Sequence, residues 1–351
     1  LRTFLASLWL VCLCALPAAA GAGTYEEYLD DPEGLTDLAE PASAYYAYLK
    51  ARRASCTGDG AAVEPPAELA LGGARFSFRG PTLEALGPDP DGVFTLGVLG
   101  APKDFSDESR AALRVFFERF QKAGADAVLL LGDLAATETE LTQILLFSAE
   151  RKWPVLALIG NTEGRAAFNN AFLAALKVAP NLINLDFIRR VDFGAVSLVN
   201  LPGYQDRRFM HQSSGCTYKP ADVEALKALL PGSGTTVLVS HGPPAGRDAH
   251  GLDVAVEAGN VGDPVLAGFL RDQKIAFGLF SHILESGGRA VDAQGKPVQG
   301  GVMRADFFLN VGSANPLAWQ LNGGKTSCGM GAIARFKGGQ GSFEFVNLPC
   351  K

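Results

Sequence analysis

The chain holds four histidines, His211, His241, His250 and His282, and two of them close apolar runs. His241 follows Thr236 to Ser240, and His282 follows the run from Ala276 to Phe280 and Ser281. Asp133 and Asn161 stand in the same kind of place, behind Ala127 to Leu131 plus Gly132 and behind Val155 to Ile159 plus Gly160. One carboxylate oxygen, one amide oxygen and two imidazole nitrogens form a ligand set for a borderline divalent cation, and zinc, manganese or iron suits it better than calcium. A buried histidine is usually satisfied by hydrogen bonds, and Asp or Asn after glycine commonly serves a turn. Those readings account for each residue alone but not for the set.

Arg207, Arg208 and His211 lie in the polar, aromatic-containing stretch Gly203-Tyr-Gln-Asp-Arg-Arg-Phe-Met-His211. They are candidate contacts to a small phosphorylated ligand; a solvated surface loop reads equally well. Gly323-Gly324-Lys325-Thr326-Ser327 imitates a phosphate-binding loop, but Trp319 stands where its earlier glycine belongs and no helix follows.

These residues need elements that bring them together. From Val93 onward short apolar runs alternate with helical segments, the pattern of a sheet covered by helices. Strands are expected at 94–99, 127–131, 155–159, 195–200, 236–240, 276–280 and 307–311. Helices are expected at 106–122, 138–151, 164–177, 221–230 and 263–272. In such sheets ligands bind beyond the carboxyl ends of the strands, where Asp133, Asn161, His241 and His282 all lie. The expected fold is therefore α/β, with an N-terminal extension before it and a hairpin of 329–337 and 342–348 closing it.

With 351 residues, 48% of them hydrophobic, the chain can bury a large core, and its formal net charge of −6 gives no basic footprint for nucleic acid. The opening Leu1-Arg-Thr-Phe-Leu-Ala-Ser-Leu-Trp-Leu-Val-Cys-Leu-Cys-Ala-Leu-Pro-Ala-Ala-Ala-Gly-Ala-Gly has a basic residue, a short apolar run and a small-residue cleavage site. It reads as a secretory signal over residues 1–22, too short to span a bilayer. A periplasmic or secreted protein with no transmembrane segment is expected after cleavage. Cys56, Cys216, Cys328 and Cys350 then remain in an oxidising compartment. Folding the hairpin brings Cys328 near Cys350, and elimination pairs Cys56 with Cys216, unless those two stay free thiols. The oligomeric state is unreadable.

Over roughly Val93 to Ala314 the sequence resembles the calcineurin-like metallophosphoesterases, since Leu-Gly-Asp133, Ile-Gly-Asn161, Val-Ser-His241-Gly-Pro-Pro and Phe-Ser-His282 occur in that family's order. The resemblance implies a metallophosphoesterase-type β-sandwich flanked by helices over 91–351, preceded by an extension over 23–90. It also implies phosphoester hydrolysis, with Asp133 matching the carboxylate that bridges two metals and Asn161, His241 and His282 completing one metal's ligands. The other metal's Asp-x-His is replaced by Gly100-Ala101-Pro102, a further His ligand by Leu284, and the acid-donating His by Thr162. Asp104 and Glu285 are candidate replacement oxygens, and Glu163 a candidate near the leaving group. One divalent metal rather than two is expected, with weakened activity or none; in the latter case the protein binds a ligand or partner. If the scaffold alone is degraded, Gly100→Asp, Pro102→His and Leu284→His together should raise phosphodiester hydrolysis.

Overall fold

The computed structural model describes residues 25–57, 63–87 and 91–350. The expected signal segment lies outside the described residues. Helices α1 (Tyr25–Asp30) and α2 (Ala44–Arg52) lead into three short strands, β1 (Ala67–Leu71), β2 (Ala74–Phe78) and β3 (Thr82–Ala85). Then β4 (Phe94–Leu99), α3 (Asp107–Lys122), β5 (Ala127–Leu130), α4 (Glu138–Ala149), β6 (Val155–Ala157), α5 (Arg165–Ala175) and β7 (Leu182–Asn184) alternate. After β8 (Arg190–Asp192) and β9 (Val196–Leu201) come α6 (Pro220–Ala225), β10 (Thr235–Ser240) and a ribbon of β11 (Val254–Ala255) and β12 (Gly259–Asn260). Helix α7 (Pro264–Asp272), β13 (Phe277–Phe280), β14 (Arg289–Val291) and β15 (Phe307–Asn310) follow. A second ribbon, β16 (Trp319–Gln320) with β17 (Thr326–Ser327), precedes the final hairpin of β18 (Met330–Lys337) and β19 (Gln340–Asn347).

Two sheets result, one of six strands ordered β19-β18-β4-β5-β6-β7 and one of nine ordered β1-β2-β3-β8-β9-β10-β13-β15-β14. The parallel strands β4, β5, β6, β9, β10, β13 and β15 are mostly or wholly buried, because parallel strands joined by crossover helices are covered on both faces. The inner faces of the sheets meet in a phenylalanine seam. Phe307 lies 5.8 Å from Phe336 and 5.2 Å from Phe343, and Phe277 lies 5.3 Å from Phe336. On the outer side of the six-stranded sheet, α3 buries Leu113, Phe116, Phe117 and Phe120, an apolar stripe at helical spacing. Leu266, Phe269 and Leu270 of α7 cover Leu238, Phe280 and Phe308 of the nine-stranded sheet.

Residues 67–85, read from the sequence as part of an extension, form three strands of the nine-stranded sheet, with β3 parallel to β8. The hairpin is likewise integral, since β18 pairs with β4 as well as with β19. Its turn, Gly338-Gly339, has φ of 56° and 80°, the left-handed pair that a two-residue hairpin turn requires. Disulfides join Cys328 to Cys350 and Cys56 to Cys216. Among the described residues no helix is long and apolar enough to cross a membrane.

Candidate metal centre

Strands of both sheets end at one place. Past β5 the chain runs Leu131-Gly132-Asp133, with Gly132 at φ 81° and Asp133 at φ 55°. A Cβ on Gly132 would stand 2.6 Å from Gly160 N and 2.9 Å from His241 Nδ1, so the turn admits only glycine there. His282, past β13, also has a left-handed backbone at φ 66°. Non-glycine residues hold that conformation at a cost of about 1–3 kcal/mol where surrounding structure enforces it.

His241 Nε2 lies 2.9 Å from Asn161 Oδ1, 3.1 Å from His282 Nδ1 and 3.3 Å from Asp133 Oδ1. These spacings approach the ~3.4 Å edge of a tetrahedron built on bonds of ~2.1 Å. Each donor is oriented by a partner behind it. The fully buried His241 has Nδ1 2.6 Å from the Leu131 carbonyl. That carbonyl can only accept, so Nδ1 carries a hydrogen and Nε2 faces the cluster. Asn161 Nδ2 donates to the Phe209 carbonyl at 2.7 Å, which turns Oδ1 towards His241. Asp133 Oδ1 accepts from the Asn161 and Thr162 backbone N–H groups at 3.1 and 3.0 Å. The Tyr204 ring packs 4.1 Å from the His282 ring.

Burial and the neighbouring His241 push the His282 pKa down to about 3, so its imidazole is neutral. Burial disfavours the Asp133 carboxylate, but His241 and Lys103 outweigh it and hold the carboxyl well below its usual range. Burial opposes charge on His241 as well, yet Asp133 prevails and raises its pKa. An ionised carboxylate, an amide oxygen and a neutral imidazole thus face one nitrogen, which meets them either by carrying a proton or by sharing a cation with them. Asp133, His241 and His282 offer ligand atoms all within 4.8 Å of one another, and this donor set fits a divalent cation.

The other candidates fall differently. Glu163 is fully buried and accepts from Leu134 N and Gly160 N (2.9 Å to the latter), clasping the two turns, while burial and Asp133 raise its pKa to about 7. It faces backbone rather than a leaving group. Asp104 accepts from Ser106 N, Ser106 Oγ and Asn315 Nδ2, a loop and helix-start role that removes it as a replacement ligand. Glu285 sits on the turn Leu284–Ser286, where its carbonyl accepts from Asn322 N. Arg208 is exposed and pairs with Asp206 at 2.6 Å. Arg207 is exposed and lines a polar hollow with Arg165, Gln212 and Ser214. His211 is exposed too, and its backbone N–H donates to the Asn161 carbonyl at 3.0 Å. Thr162 Oγ1 is buried with no hydrogen-bond partner among the described residues.

Sequence reasoning missed two residues. Tyr204 reaches His282 from a loop distant in sequence. Lys103 places Nζ 3.3 Å from Asp133 Oδ2, from a loop position that carries no signal of its own in the sequence.

No family model and no curated protein sequence matches the chain. The backbone is similar to that of solved structures. One crystal structure aligns over its full length and 73% of this chain, at 12% identity and a TM-score of 0.52. A dimetal phosphatase from Danio rerio aligns over 99% of its length and 74% of this chain, at 13% identity and a TM-score of 0.45. The anchor in the inner membrane complex of Plasmodium aligns over 84% of its length and 73% of this chain, at 10% identity and a TM-score of 0.45. At these identities the likeness is one of fold.

Proposed function

We propose that this chain is a degenerate calcineurin-like metallophosphoesterase in which Asp133, Asn161, His241 and His282 hold one divalent cation, zinc, manganese or iron. Its ligand is a small phosphorylated compound, and its hydrolytic activity is weak. The observation that carries this reading is the convergence of lone-pair atoms on His241 Nε2, with Nδ1 committed to the Leu131 carbonyl. A bound cation of this kind supplies Lewis-acid polarisation of a phosphoryl oxygen. The chain's own residues orient that centre: the Leu131 carbonyl fixes the His241 tautomer, the Phe209 carbonyl turns Asn161 inward, and the Tyr204 ring covers His282. The Thr162 hydroxyl is too weak an acid to protonate a leaving group at neutral pH, so this reading expects weak turnover.

A second reading, ligand or partner binding without turnover, is favoured by the Lys103 ammonium beside Asp133. Export to a periplasmic or extracellular space is supported by the signal-like residues 1–22 and by the two disulfides.

Elemental analysis of purified protein tests the reading, with His241→Ala as control. About one metal per chain, lost in the variant, is expected, followed by slow metal-dependent hydrolysis of a generic phosphoester. Metal without hydrolysis would select the second reading, and absence of metal would sink the metal centre.

A further inference from the structure

The two oxygens of Asp133 face different neighbours. Oδ1 is turned to His241 and the cluster described above, and Oδ2 to Lys103 Nζ at 3.3 Å. The carboxylate is 4% exposed and the lysine side chain 37%. Among the described residues the ammonium makes no other hydrogen bond to protein.

The segment that delivers Lys103 is held in an unusual backbone. Ala101 and Lys103 both have left-handed φ, 48° and 70°, a conformation that persists only where surroundings enforce it. Ala101 N donates to the Gly132 carbonyl and Lys103 N to the Asp133 carbonyl, both at 3.0 Å. From the other sheet, Ala314 N donates to the Gly100 carbonyl, Ser313 Oγ to the Ala101 carbonyl and Asn315 Nδ2 to the Pro102 carbonyl, each at 2.7 Å.

Space for another ligand at the start of this segment is taken. A Cβ on Gly100 would lie 2.1 Å from Ser281 Oγ and 2.8 Å from the Gly312 carbonyl oxygen. Ser281 Oγ is itself committed to that carbonyl at 2.8 Å.

From these observations we infer that the Lys103 ammonium is a built-in substitute for a second cation, so that Asp133 bridges one exchangeable metal and one fixed positive charge. The inference rests on the metal centre proposed above. An ammonium donates hydrogen bonds but cannot coordinate or activate water. It therefore neutralises Asp133 Oδ2 and excludes a second divalent ion, and its remaining N–H groups are free to meet an anionic ligand. It also weakens the first site, because a positive charge on a ligand carboxylate repels the incoming cation.

The test is titration of metal-free protein with Mn²⁺ and with Zn²⁺ by equilibrium dialysis, comparing native protein with Lys103→Met and Lys103→Arg. Lys103→Gln serves as a second neutral variant, and circular dichroism checks folding. Native protein and Lys103→Arg are expected to bind one ion, and the neutral variants to bind it about tenfold more tightly or to take up a second. Metal uptake by the neutral variants but not by native protein would also support the substitution, while sinking the native metal centre. Neutral variants that match native protein in affinity and stoichiometry, or native protein that binds two ions, would overturn it.

Discussion

At Gly100 the structure leaves no volume for a side chain, and this decides what repair of the site can achieve. The triple substitution Gly100→Asp, Pro102→His and Leu284→His forces a carboxylate against Ser281 and the Gly312 carbonyl. Overpacking of this kind costs typically ~1–3 kcal/mol. The triple variant should therefore unfold at lower urea concentration than native protein and show no gain in phosphodiester hydrolysis. Increased hydrolysis at unchanged stability would show that the scaffold is only missing ligands. The convergence of Asp133, Asn161, His241 and His282 was legible because polar side chains directly after fully apolar runs have few reasons to be there. Lys103 was not, since a lone lysine in a loop carries no spacing signal and its direction depends on the left-handed turns at Ala101 and Lys103. Glu163 was misread for a similar reason: it lies near the cluster in sequence, but it points at backbone N–H groups that the sequence does not reveal.

At the scale of elements, the segment from Gly203 to Thr217 roofs the centre. Phe209 and His211 fix Asn161 through backbone bonds, Tyr204 N donates to the Cys216 carbonyl at 3.0 Å, and Cys216 is bonded to Cys56. Groups that orient metal ligands matter to affinity by about 10–100-fold. Replacing both Cys56 and Cys216 by Ser is expected to lower metal affinity by about tenfold while the far-ultraviolet circular dichroism stays native; unchanged affinity would separate the roof from the metal. The alternation from β4 to α5 was readable because buried parallel strands are apolar throughout and their crossover helices carry a 3.6-residue stripe. Strands β1 to β3 escaped notice for the opposite reason. They lie towards one edge, are largely half-exposed, and carry Glu68, Arg75 and Glu84. Arg75 pairs with Glu68 across β1 and β2, and Arg190 with Glu84 across β3 and β8. The charge on the edge strand β1 suits an edge that must not recruit other strands, but in sequence these charged strands resemble a linker.

For the whole molecule, the decisive fact is that the four converging side chains, the proposed ligands, are divided between layers. Asp133 and Asn161 follow strands of the six-stranded sheet, His241 and His282 follow strands of the nine-stranded one, and the phenylalanine seam holds the layers in register. Phe307 is fully buried at the middle of that seam. Phe307→Ala should cost about 3–5 kcal/mol in chemical denaturation and should also weaken metal binding, although it touches no ligand. A stability loss with metal affinity intact would show that the strand ends are held locally. The Cys56–Cys216 bridge has one more consequence, for how the molecule survives damage. It ties together positions 160 residues apart, and the exposed basic turn Arg207–Phe209 lies inside the circuit it closes. A protease that cuts there opens a ring rather than severing a string, and both new ends remain covalently part of one molecule until a reductant arrives.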